Sequence, residues 1–405
     1  MLTALRRAAA EVDAKTPVTR DRALDGLRAV ALLAVPVGHW MLGGFTRSAD
    51  GALHNASPLA SLGFFAPLSW VLQMLGVFFL VGGYSSVRSL ERARERGTGT
   101  LVWLRGRSVR LLRPVLGVAA VWALLIPLLH RLGVPDGTVR TGSVLVVQPL
   151  WYIAVYLGLT ALTPLCVAAA RRLRGWSAAA LLGVVAVVDA LRYGPWADAV
   201  PSWLALVNIL PGWMFAYQLG VLWARGRLGR PAARVLLLGG AALFAALLLF
   251  LHYPASMVGV PEVARTNSHP PSLLVLALAS VQCGAAVLLK ERIGRLLRRP
   301  LLWLPVVAVN LSAMTIFCWH QSAMLAVAVP GGSLPGAVPG LTTAPDSPAW
   351  VLARLALLPV FGAALIAIGW FARRFDGPWT SFSRTWRTVA GAGAAVFAGY
   401  ALGVV

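Results

Sequence analysis

Acidic residues are scarce in this chain. Its 405 residues include only 14 Asp and Glu, and charged residues of both signs make up 12%. Soluble domains carry about 25%. The shortage argues against a soluble enzyme and against a disordered polymer. Cysteine is also rare. Cys166, Cys283 and Cys318 lie inside apolar runs, without paired spacing or a His-rich neighbour. They read as small buried hydrophobes rather than redox or metal centres. No HExxH, Walker A, GxGxxG or GxSxG pattern stands in a usable setting, and no metal site is expected. Nothing repeats at a fixed period, and no low-complexity linker marks a second domain.

Apolar residues are abundant instead, at 58%, with a mean hydropathy of +0.74. A run of about 18 or more apolar residues is long enough to cross a bilayer. Ten such spans are expected, at roughly 24–45, 67–87, 109–129, 150–170, 176–192, 203–223, 235–254, 272–289, 301–327 and 350–371. A further run at 389–405, shorter and Ala/Gly-rich, is either an eleventh span or an interfacial tail. Residues 1–23 are polar, and the first apolar run is too long for a signal-peptide h-region. The expected fold is an all-α, polytopic membrane bundle. A cytoplasmic N-terminal segment (1–23) precedes a transmembrane domain (24–371), and a basic segment with the possible eleventh helix follows (372–405).

The charge that exists is lopsided: 36 Lys and Arg give a formal net charge of +22. The expected spans sort these cations by side. Twenty-nine of the 36 fall on the side of the N-terminus, among them the eight arginines from Arg88 to Arg113. By the positive-inside rule that side is cytoplasmic. The chain is thus expected in the cell membrane, multi-pass, with its N-terminus inside. Sidedness accounts for the basic charge through the lipid bilayer, and no nucleic-acid partner is expected.

Ionisable groups inside a bilayer are costly and mark candidate functional positions. Arg28 and His39 share the first span. Eleven residues at 100° each bring His39 about 20° past three full turns, roughly 16 Å along the axis. Both then lie on one face, with Pro36 as a kink site between them. Read from spacing alone, Arg28 is either a substrate contact or a snorkelling anchor, and His39 either a reactive group or a core histidine. Arg110 and Arg113 open the third span at i, i+3, which suits either a phosphate clamp or a lipid-facing flank. Trp151 and Tyr152 open the fourth span, as aromatic anchors or as site residues. His320 reaches the same outer depth as His39, and Gln73 sits in the outer part of span two. Gly82 and Gly83 suit close helix packing. Asp189 is the only carboxylate at the depth of His39, and Asp25 is placed to pair with Arg28 or with nearby arginines.

In order, these motifs resemble those of the membrane acyltransferase-3 family. The stretch Asp25-Gly26-Leu27-Arg28 followed by Gly38-His39-Trp40 is similar to that family's opening helix, with its Arg and His. Arg110 and Arg113 match an Arg-x-x-Arg element. Phe78-Phe79-Leu80-Val81-Gly82-Gly83-Tyr84 resembles an FFLxSGY segment, with Gly83 beside a substituted serine position. Trp151-Tyr152 and Cys318-Trp319-His320-Gln321 resemble its aromatic pair and its late WH segment. The likeness is collinear over about residues 20–325. It departs where Gln321 replaces an acidic residue, leaving open what orients His39.

The resemblance implies an integral membrane O-acyltransferase. It would move an acyl group, commonly acetyl, from cytoplasmic acyl-CoA to a hydroxyl of a carbohydrate, glycolipid or small molecule. Acyl-CoA is then a co-substrate, and no bound cofactor is implied. His39 would be the general base, Arg28, Arg110 and Arg113 the acyl-CoA contacts, and Tyr152, Trp151, His320 and Gln73 the acceptor or oxyanion contacts. The competing reading is a transporter or flippase of a polar substrate. Its usual internal repeats and paired broken helices are not seen in the sequence.

Overall fold

The computed structural model describes residues 2–195, 197–260, 265–376 and 384–402. Sixteen α-helices and one β-hairpin account for most of them. A short helix α1 (Leu2–Ala14) precedes α2 (Arg22–Leu42) and the hairpin β1 (Gly44–Arg47) with β2 (Leu53–Ala56). Then come α3 (Ala66–Leu72), α4 (Leu75–Glu95), α5 (Thr100–Arg131), α6 (Asp136–Val147), α7 (Trp151–Ala161) and α8 (Thr163–Leu173). The chain continues through α9 (Trp176–Tyr193), α10 (Ile209–Ala224), α11 (Arg230–Leu249), α12 (Leu273–Leu296) and α13 (Pro300–Leu311). It ends with α14 (Ala313–Gly332), α15 (Pro348–Asp376) and α16 (Arg384–Leu402).

Among the described residues, nine helical segments are long and apolar enough to cross a membrane. They correspond to expected spans two to ten. The expected first span is α2, whose 21 residues carry Asp25, Arg28 and His39 and are therefore less apolar. Two boundaries differ from expectation. Span four runs from Asp136 to Ala161, so its crossing is complete before α8 begins. The 301–327 run is broken between Leu311 and Ala313, giving α13 and α14. The 389–405 run falls largely in α16, which starts earlier, at Arg384, and is not one of the nine apolar segments. Residues 377–383 of the expected basic tail, and 403–405 at the end of that run, lie outside the described residues.

The helices assemble into two units. The first comprises Met1–Ala34, Ala66–Leu104 and Val155–Leu311. Its α4 packs along α10, and α11 along α12. The α4–α10 approach depends on two glycines. A Cβ on Gly83 would stand 2.1 Å from the Tyr217 carbonyl oxygen, and one on Gly220 2.0 Å from that of Leu80. Both distances are below any van der Waals contact, so only glycine lets these backbones meet. Asp25 pairs with Arg20 (2.6 Å), one of the nearby arginines, rather than with Arg28. Asp189, 1% exposed, accepts from Asn208 Nδ2 (2.9 Å), Tyr253 Oη (3.1 Å) and the Leu273 backbone N–H (2.7 Å). It caps the start of α12, where a carboxylate meets the positive end of the helix. These ties, all within the first unit, give Asp189 a structural role.

The second unit comprises Val35–Phe65, Arg105–Ala154 and Ser312–Val405. The hairpin pairs Gly44 with Ala56 through to Arg47 with Leu53. It is joined to α6 by the Leu53 N–H, which donates to Thr138 Oγ1 (2.8 Å). Helix α14 packs on α15 and α6, and α16 packs on α6. Phe397 of α16, 1% exposed, stacks 6.0 Å from Trp122. The Trp122 indole N–H donates to Ser322 Oγ (2.9 Å).

Candidate active site

The second unit brings the last turn of α2 against α14. His39 lies in that turn. The helical period puts Phe317, His320 and Gln321 on neighbouring faces of α14. Gln321, 2% exposed, places its amide Nε2 3.1 Å from His39 Nδ1. The His39 and His320 rings lie 5.0 Å apart, tilted by 46°. The two histidines that the sequence set at equal depth are therefore neighbours, and Gln321 holds one of them.

The hydrogen bonds of His320 define what it can do. Its Nδ1 is 2.7 Å from the Phe317 carbonyl oxygen. A carbonyl only accepts, so Nδ1 carries the hydrogen. In the neutral ring the lone pair then sits on Nε2. That atom is buried and has no hydrogen-bond partner among the described residues. The same holds for Gln321 Oε1. Two acceptor atoms thus stand open around His39. A buried polar atom without a partner is costly, and active sites are where such costs are retained.

The Gln321 amide can serve His39 in two ways. As a donor through Nε2 it fixes the hydrogen of His39 on the far nitrogen. Turned by half a revolution, it accepts from Nδ1–H and leaves the far nitrogen with its lone pair. A carboxylate offers only the second arrangement.

Tyr152, 6% exposed, is buried with its ring 5.3 Å from Phe317, whose ring is 6.2 Å from that of His320. Its burial argues against a headgroup-level belt role. Trp151 packs edge-on to Tyr152 at 6.2 Å. Arg110 and Arg113 lie on α5 in this unit, the first exposed and the second half-buried. Arg28 and Gln73 belong to the first unit. Arg28 is exposed on α2. Gln73 sits in the break between α3 and α4 rather than inside a helix, and its Nε2 donates to Ser268 Oγ (3.0 Å).

The model of an acyltransferase domain matches residues 21–365 of the 405. The chain belongs to the membrane acyltransferase-3 family. No curated protein and no solved structure matches it. The match makes this multi-pass membrane protein an acyltransferase. It also includes every residue of the His39 cluster, from α2 to α14.

Gln321 had no role in the sequence reading, where it stood out only as a departure from the family pattern without a partner. Arg354, a charge within the tenth expected span, was not singled out; its signal was the cost of placing a charge there.

Proposed function

We propose that this acyltransferase moves an acetyl group from acyl-CoA to a hydroxyl of a carbohydrate, glycolipid or small-molecule acceptor. The observation that carries this reading is His39 held by Gln321 beside the open acceptor atom of His320. His39 acts as general base. With the Gln321 amide turned to accept from Nδ1–H, the other ring nitrogen of His39 takes the hydroxyl proton as the oxygen attacks the thioester carbonyl. The tetrahedral adduct collapses, the C–S bond breaks, and the departing thiolate takes the proton back from His39. Products are the acyl ester and free CoA.

His320 cannot serve as an oxyanion donor while its Nδ1–H is committed to Phe317. Its Nε2 lone pair suits a different task, accepting a hydrogen bond from the incoming hydroxyl. Tyr152 and Trp151 pack behind Phe317 as the wall of that acceptor site. Arg28, Arg110 and Arg113 bind acyl-CoA, with guanidinium groups suited to its phosphates. The cationic side faces the cytoplasm, where acyl-CoA is made, and the N-terminus lies there too.

The test is transfer of label from acetyl-CoA to candidate acceptors by the purified protein in detergent. Transfer is expected with wild type and is expected to be lost in His39→Ala. Undiminished transfer by His39→Ala removes His39 from the mechanism.

A further inference from the structure

Arg354 lies in α15 and is 0% exposed. Among the described residues it makes no ion pair. All its polar contacts are to neutral acceptors in the second unit. Its Nε donates to the Trp40 carbonyl (2.5 Å), Nη2 to the Gly43 carbonyl (2.8 Å) and Nη1 to the Gly340 carbonyl (3.0 Å). Nη2 also meets Met324 Sδ of α14 at 3.1 Å. The guanidinium packs 4.7 Å from the Phe361 ring and 5.4 Å from that of Trp350.

A buried, unpaired cation in a membrane-spanning helix is expensive, and burying an ordinary apolar residue there would be the cheaper solution. What the charge gains is specific. Helix α2 ends at Leu42, so its last carbonyls lack intrahelical partners and carry the negative end of the helix dipole. Trp40 supplies one of them, and Gly43, the first residue past that end, supplies a second carbonyl. The planar fork spans both at once, which a single ammonium cannot do. The Gly43 N–H in turn bonds the His39 carbonyl (3.1 Å). The Trp40 indole N–H donates to the His320 carbonyl (3.0 Å). Arg354 thus grips Trp40, the neighbour of His39, and Gly43, which bonds the His39 carbonyl, while Trp40 also bonds the His320 carbonyl.

We infer that Arg354 is a positioning residue, a cationic clamp that fixes the last turn of α2 and thereby aims His39 at α14. The inference rests on the reading of His39 as the reacting base. It assigns Arg354 no contact with either substrate.

The experiment compares wild type with Arg354→Lys, Arg354→Met and Trp40→Phe. Trp40→Phe removes the indole donor but keeps the carbonyl that Arg354 grips. Two readouts are taken on each detergent-purified variant: kcat and KM for acetyl-CoA, and the rate at which diethyl pyrocarbonate modifies His39, mapped by mass spectrometry. A misaimed base lowers kcat by about 100-fold in Arg354→Met, with KM within about twofold. Arg354→Lys restores part of that loss, and Trp40→Phe shows a smaller fall of the same kind. The His39 modification rate changes in parallel. A folded Arg354→Met or Arg354→Lys with lowered melting temperature but wild-type kcat and wild-type His39 modification overturns the clamp. If Arg354→Met does not fold, the Lys variant decides. The modification rate needs no transfer assay, so failure of the acyl-transfer reading and failure of the clamp are separable.

Discussion

Gln321 Nε2 stands 3.1 Å from His39 Nδ1, across 282 residues of sequence. That contact answers what orients the imidazole in a site where no acidic residue follows Trp319-His320. Gln321→Ala should lower kcat by about 10- to 100-fold through loss of ring orientation, with little change in the KM for acetyl-CoA. Gln321→Glu offers Nδ1–H an acceptor, the arrangement that leaves the other nitrogen its lone pair, and should retain most of the activity. Steady-state kinetics on both variants check this; wild-type kcat in Gln321→Ala removes the residue from the mechanism.

The open Nε2 of His320 gives a second prediction. His320→Phe keeps the ring and its packing but removes the lone pair. It should raise the KM for the acceptor and leave the KM for acetyl-CoA within about twofold, since of the two hydrogen bonds lost, one is internal to α14 and only the other reaches a substrate, the hydroxyl. Varying each substrate at saturating levels of the other distinguishes the two. An unchanged acceptor KM places His320 in the core alone.

Arg110 and Arg113 are expected to meet the phosphates of acyl-CoA. Replacing both by Ala should weaken acetyl-CoA binding by about tenfold or more, the usual worth of a charge-assisted hydrogen bond. Equilibrium binding in detergent measures it. An unchanged dissociation constant makes the pair an orientation signal only.

The α4–α10 contact predicts a stability effect away from the site. Gly83→Ala and Gly220→Ala each force a methyl into a facing backbone carbonyl. Each should cost about 1–3 kcal/mol or more and lower the melting temperature in detergent. Gly158→Ala, whose new methyl meets nothing within 4 Å, is the control and should melt like wild type.

Orientation is tested by fusion. A reporter active only in the cytoplasm, joined after Arg299, should be active, because 29 of 36 cations share its side. A silent fusion reverses the proposed topology.

Local properties of the chain were legible in its sequence. Bilayer-crossing length and apolarity belong to stretches of some 20 residues, and so expected spans two to ten have counterparts in the structure. The ordered motifs sufficed to name the family. The breaks inside expected spans were harder to see. The run through 301–327 reads as one predominantly apolar stretch, and Asn310 and Ser312 are too few polar residues to mark the interruption by hydropathy alone. The hairpin of β1 and β2 escaped as well, since four-residue strands leave almost no periodic signal.

His39 and His320 stood out by chemistry and depth, which follows from helical rise alone, and Trp151 and Tyr152 by their likeness to the family's aromatic pair. Their partners were decided only by tertiary structure. Gln321 bonds a ring 282 positions away, and Arg354 grips a carbonyl 314 positions away. Such pairings depend on how α2, α14 and α15 pack, which no local pattern encodes. The sequence determined a membrane-crossing acyltransferase with a charged side and two histidines at one depth. The packing decided that a neutral amide holds one of them and a buried cation secures the helix that carries it.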